Sequence, residues 1–300
     1  MTDNGSNGSS QPAPEAASAS APQKRRRTPL PFIILAVIFV VVPFLTWYLT
    51  WFGRPLSDAS MESYLKDEKN VRHVQQALNQ IAERIEAGDQ KVKRWYPQVL
   101  VLANSNTVEI RKTVAWVMGQ DNTSEEFHAA LLKLLADQHP AVRRNAAVQL
   151  VRFRDASGRA ELRATLRPYT VTSPVEGTVS SVLTEGVEVR ENALLARITN
   201  NQNQLQEVRS PLHGKLINVA AREGTKVGAG DPVLEIAPDG DFVYEALRGL
   251  FFIGEAEELP DVERYAQGVE GMPERVQRQA AETAKAIRSR SEQKSSEVKQ

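Results

Sequence analysis

The chain contains no cysteine, which excludes disulfides, thiolate metal sites and a cysteine nucleophile. Histidine is scarce as well. His73, His128, His139 and His213 are the four in 300 residues, and no two stand in the spacing of a zinc-binding helix. No phosphate-binding loop, dinucleotide fingerprint, nucleophile elbow or metalloprotease motif occurs. An excess of one charge is also missing. The 37 basic and 37 acidic side chains cancel, so composition gives no case for a nucleic-acid partner. These absences together predict a protein that is not an enzyme, with no catalytic residue, no metal and no cofactor.

What is present is unevenly distributed. Residues 1–23 are mostly Ser, Ala, Pro, Gly, Asn and Gln, too poor in apolar side chains to offset their ordering entropy. Lys24, Arg25, Arg26 and Arg27 follow, and 1–28 is expected to be a disordered cytoplasmic tail. The segment Pro29–Gly53 then carries no charge and roughly the 20 apolar positions that span a bilayer. Trp47, Tyr48 and Trp51 gather at its far end, as at a headgroup zone. A single transmembrane helix at 29–53 is expected, with the bilayer as a partner. The cation cluster places the N-terminus in the cytoplasm and the bulk of the chain outside it, in a bacterial inner membrane.

From residue 58 to 168 the apolar spacing is helical. Val74, Ala77, Leu78, Ile81 and Ile85 recur three and four apart. Two segments align at an offset of 32 residues, with Ile110 matching Val142, Arg111 matching Arg143 and Ala115 matching Ala147. Such an offset is a solenoid period. Ser124 is placed as the N-cap of the helix between them. The run "DQHPAVRRNAAVQL" resembles a HEAT-like repeat. That resemblance implies stacked helix pairs and a protein-binding surface. Helices of the same kind return at 240–290, where Ala246 and Ala280 correspond, and 291–300 is expected to be a disordered tail.

Between the two helical regions, residues 169–239 change period. Val, Thr, Ser and Gly dominate, with turn signals at regular spacing. The segment falls into two similar halves. Ser173-Pro174 matches Ser210-Pro211, Gly177 matches Gly214, Glu185-Gly186 matches Glu223-Gly224, Val189 matches Val227 and Ile198 matches Ile236. The shared pattern S-P-x-x-G…E-G-x-x-V resembles a biotinyl/lipoyl-type domain, which implies a barrel-sandwich of two interlocking halves. The expected fold class is therefore α+β multidomain: one transmembrane helix, α-helical HEAT-like repeats and an all-β barrel-sandwich lipoyl-like module.

In carriers of that family a lysine between the halves receives the cofactor. Here that position falls near Asn203, in "NNQNQ", and no lysine or arginine stands between Thr199 and Val208. The chain is also partly similar to periplasmic adaptor (membrane-fusion) proteins, which pair a membrane helix with a lysine-free lipoyl-type domain. It departs from them in having neither a long coiled coil between the halves nor a following β-barrel. Other candidates reduce to structure. "GAGDP" precedes a strand and reads as a turn, Glu255–Glu263 as a solvated helix edge, and His139 and His213 as exposed turn residues. The functional expectation is a membrane-anchored scaffold or adaptor presenting protein-binding surfaces outside the cytoplasm. A carrier-type or enzyme-accessory module is the alternative.

Overall fold

A computed structural model describes residues 30–51 and 55–297. The tail expected at 1–28, with its basic cluster, lies outside the described residues. Helix α1 (Leu30–Trp51) contains Pro43 and belongs to a first unit ending at Arg54. Among the described residues no helix is long and apolar enough to cross a membrane. This corrects the transmembrane helix expected at 29–53.

The second unit begins at Pro55. Its helices are α2 (Asp58–Lys66), α3 (Val71–Glu86), α4 (Tyr96–Leu102), α5 (Val108–Met118), α6 (Glu125–Leu134), α7 (Pro140–Arg152) and α8 (Arg159–Thr165). A short 3₁₀ helix, Gln90–Trp95, leads into α4. The sequence explains the boundaries. Ser124 caps α6 by accepting a hydrogen bond from the Phe127 amide at 3.3 Å, and Pro140 occupies the first turn of α7, where its missing N–H is harmless. Ile110, Ala115, Val142, Ala146 and Ala147 are fully buried, and the small alanines allow α5 and α7 to pack side by side.

Arg111 and Arg143 repeat one arrangement. Arg111 donates to the Ser105 carbonyl at 2.8 Å and grips both oxygens of Asp137 at 2.7 and 3.0 Å. Arg143 donates to the Asp137 carbonyl at 2.9 Å and to Glu161 at 3.2 Å. Each arginine thus ties the loop before its own helix to an acid further along the chain. The fork of guanidinium donors suits this double duty.

Eight strands follow: β1 (Tyr169–Thr172), β2 (Gly177–Val182), β3 (Glu188–Val189), β4 (Leu194–Asn200), β5 (Leu205–Arg209), β6 (Gly214–Val219), β7 (Lys226–Val227) and β8 (Pro232–Pro238). They form two four-stranded sheets, ordered β1-β8-β6-β3 and β5-β4-β2-β7. Each sheet takes two strands from each sequence half, so the halves interlock. Val179, Ile198, Leu216 and Ile236 fill the space between as a separate core. No strand pairs with a strand of the other sheet. The closed barrel-sandwich expected from sequence is therefore corrected to two open sheets.

The chain then returns to helices α9 (Gly240–Ile253), α10 (Leu259–Ala266) and α11 (Glu274–Glu297), with a 3₁₀ turn at Ala256–Glu258. Leu162 and Leu166 before the strands share one apolar core with Val243, Leu247, Val262 and Ile287 after them. The helical and β parts from Pro55 onward cluster as one compact unit. The tail expected to be disordered from 291 is helical to Glu297. Arg290 anchors it by donating to the Phe251 and Gly254 carbonyls at 2.7 and 2.8 Å, groups left open at the end of α9.

Candidate functional site

The hairpin between β4 and β5 contains Asn203, the position where the sequence resemblance puts a carrier's lysine. Its tip is organised by Asn200. The Asn200 side-chain oxygen accepts from the Gln202 and Gln204 amides at 3.0 and 2.8 Å. Asn203 takes a left-handed backbone with φ of 61°, which asparagine tolerates better than most residues. The side chain at the tip is an exposed amide, chemically unable to be acylated as an amine is.

The histidines are spread apart. His73 pairs with Asp67 at 2.9 Å and stacks on Tyr64. His128 pairs with Asp155 at 2.6 Å and stacks on Phe153. His213 is exposed, as its turn position predicts. His139 differs from expectation: it is half-buried, and its Nδ1 finds no partner among the described residues. Burial, the leading influence, lowers its pKa. No group of histidine, aspartate and glutamate among the described residues could hold a metal ion.

The acidic run at 255–263 is no solvated edge. Glu258 is buried and meets Arg159 at 3.3 Å. Asp261 binds Arg163 at 3.0 Å and Arg167 at 2.6 Å, and Glu263 meets Arg288. Burial raises the Asp261 pKa, but hydrogen bonds from the two arginines outweigh it and hold the carboxyl below its usual range. Glu258 and Asp261 fasten this segment to α8, and Glu263 joins α10 to α11. Tyr96 and Asp121, hydrogen-bonded at 2.8 Å, are also structural. Burial first, then Asp121, pushes the phenol pKa up, so the proton stays fixed.

The surface feature left over runs across the helices. Trp116 of α5, Val148 and Val151 of α7, and Phe242 and Phe252 of α9 line a concavity of about 470 Å³. Trp116 and Asn145 also line a second concavity of about 360 Å³, which extends to Asn79 of α3 and to Lys112 and Thr113. Trp116 is 37% exposed and Phe252 is 65% exposed. Asn79, Thr113 and Asn145 stand at nearly the repeat offset from one another and present amide or hydroxyl groups along the floor. Gly249 allows the close approach behind it, since a Cβ there would lie 2.8 Å from Leu162 Cδ1. Sequence reasoning missed this face. The signal was the helical offset itself, which aligns Thr113 with Asn145 and Trp116 with Val148.

No family model and no curated protein matches the chain. Among solved structures it is similar to a single-chain, multi-domain long-chain acyl-CoA carboxylase, at 22% identity over 42% of this chain and a TM-score of 0.23. The chain spans 15% of that protein's length. It is also similar to an engineered protein, at 15% identity over 77% of this chain and 80% of the other, with a TM-score of 0.40.

Proposed function

We propose that this protein is a non-enzymatic scaffold that docks a segment of a partner protein on the face formed by α3, α5, α7 and α9. The two adjoining concavities that share Trp116 and Asn145, with Trp116 and Phe252 exposed, are the observation that carries this reading. Aromatic side chains in a concave, partly apolar setting are the usual anchors of protein interfaces. Arg144, Arg152 and Arg248 outnumber Glu245 in the lining, so the segment carries an apolar anchor flanked by acids. HEAT-like stacking of the helices, and a lipoyl-type β unit kept without its lysine as a second binding surface, are the finer parts of the proposal.

The experiment is recovery of the full chain from its own cells at native levels, beside W116A and F252S variants. Wild type is expected to return a stoichiometric partner. The variants lose it while their melting temperatures stay within about 2 °C of wild type, as surface substitutions do. Recovery of the chain alone counts against the scaffold. Intact mass spectrometry tests the carrier alternative: an added mass of biotinyl or lipoyl size on residues 169–239 would replace this reading.

A further inference from the structure

Beside the aromatic groove, five arginines gather around one cavity. Arg143, Arg144, Arg159, Arg163 and Arg167 line a space of about 550 Å³, together with Glu161, Glu257, Glu258 and Tyr169. Four of the arginines are committed to acids. Arg143 holds Glu161 at 3.2 Å, Arg159 holds Glu255 and Glu258 at 3.1 and 3.3 Å, and Arg163 and Arg167 share Asp261 at 3.0 and 2.6 Å.

Arg144 is the exception. Its side chain is 4% exposed. Its Nε makes no hydrogen bond among the described residues. Its ion-pair contact is Glu161 at 4.0 Å, and that carboxylate already serves Arg143. A guanidinium does not escape burial by giving up its proton. A buried charge with too few acceptors is costly and calls for a compensating anion. Burial is the leading influence on Arg144, drawing its pKa down, and Glu161 offsets it only in part. The five arginines of the lining meet five acids, Glu161, Glu255, Glu257, Glu258 and Asp261, so the shortfall lies at Arg144, which has to share Glu161 with Arg143. Its volume lies within the roughly 300–1,000 Å³ of ordinary small-ligand sites. Tyr169 and Ser157 bring hydroxyl groups to the same lining.

We propose that this cavity is a binding site for a small ligand bearing a carboxylate or phosphate group, seated against the guanidinium of Arg144. The planar fork of donors matches the paired oxygens of either anion. A water molecule could satisfy the donors but not the charge. Arg144 also lines the aromatic groove, but the other four arginines and Tyr169 line this cavity and not the groove, so the proposal stands whether or not a protein docks there.

The test is thermal melting of the full chain with inorganic phosphate or citrate, against chloride at equal ionic strength. At least one anion is expected to give a saturable rise, of about 5–10 °C at a hundredfold excess over Kd. Phosphate alone acting points to a phosphorylated ligand; citrate alone points to a carboxylate. R144Q weakens binding at least tenfold. E161Q frees Arg144 from its competitor and tightens binding, which keeps the test decisive if R144Q does not fold. W116A and F252S leave anion binding unchanged, which separates this site from the docking face. A saturable rise with neither anion would overturn the proposal. So would undiminished binding by folded R144Q, or weaker binding by E161Q.

Discussion

His139 shows how far a single residue is readable. The sequence marks it as the residue before Pro140, and it is the N-cap of α7. Its burial is not readable, because the charges around it come from distant segments. Glu191 belongs to the β unit, Lys112 to α5, and the two form an ion pair. Burial lowers the His139 pKa first. Glu191 and Asp137 push it up, Lys112 and Arg111 push it down, and the net direction is down. The unfolded chain therefore takes up a proton near its ordinary pKa of about 6.5, while the folded chain resists. The associated stability is whole above that pH and declines as pH falls below it. Asp121, Asp137, Asp155 and Asp261 are held below the usual carboxylate range. Their contribution is lost only further into acid, below about pH 4. Between pH 7.5 and 5, melting temperature should fall for wild type and fall less for H139Q. Parallel curves for the two proteins would show that burial does not hold the imidazole neutral.

At the scale of elements, the paired glycines explain why the two β halves look alike. Gly177 opens β2 and Gly214 opens β6. A Cβ at Gly177 would lie 2.3 Å from the Thr199 carbonyl oxygen, and one at Gly214 would lie 2.2 Å from that of Ala237. The obstacle in each case is the neighbouring strand's backbone, which cannot rotate aside. Ser173 and Ser210 shape the preceding turns identically, each hydroxyl donating at 2.5 Å to the carbonyl two residues on. G214A should cost about 1–3 kcal/mol in urea unfolding, the usual range for overpacking, and G177A about the same. A loss under 0.5 kcal/mol at both would mean that the sheets shift freely. The S-P-x-x-G repeat made these turns legible in advance. It could not show that the two sheets stay unjoined, since strand partners are set by contacts far apart in sequence. The helical offset was legible for the same reason as the turns: Ile110 and Val142 repeat one local environment. Arg144 was not, because its burial depends on α8 and β1 arriving from the far side.

At the scale of the molecule, the β unit is spliced into a helical body that closes around the splice. Strands β1 and β8 are antiparallel neighbours, with Tyr169 opposite Ile236, so the chain leaves and re-enters the helices at adjacent points. Leu162 and Leu166 then pack with Val243, Ala246 and Leu250 as one core. The Tyr265 hydroxyl reaches back to donate to the Leu166 carbonyl at 2.9 Å. The β unit keeps its own interior. Excising residues 169–238 and joining Pro168 to Asp239 through a short glycine linker should therefore leave a folded helical protein. Loop entropy does not oppose this, since closure costs grow only as the logarithm of loop length, about 0.6 kcal/mol per doubling. The expected result is a single cooperative melt by circular dichroism at 222 nm, within about 5 °C of the full chain, reflecting a change of roughly 1–2 kcal/mol. A broad or absent transition would show that the helices need the sheets to fold, and that the β unit is part of the scaffold's core rather than an appended surface.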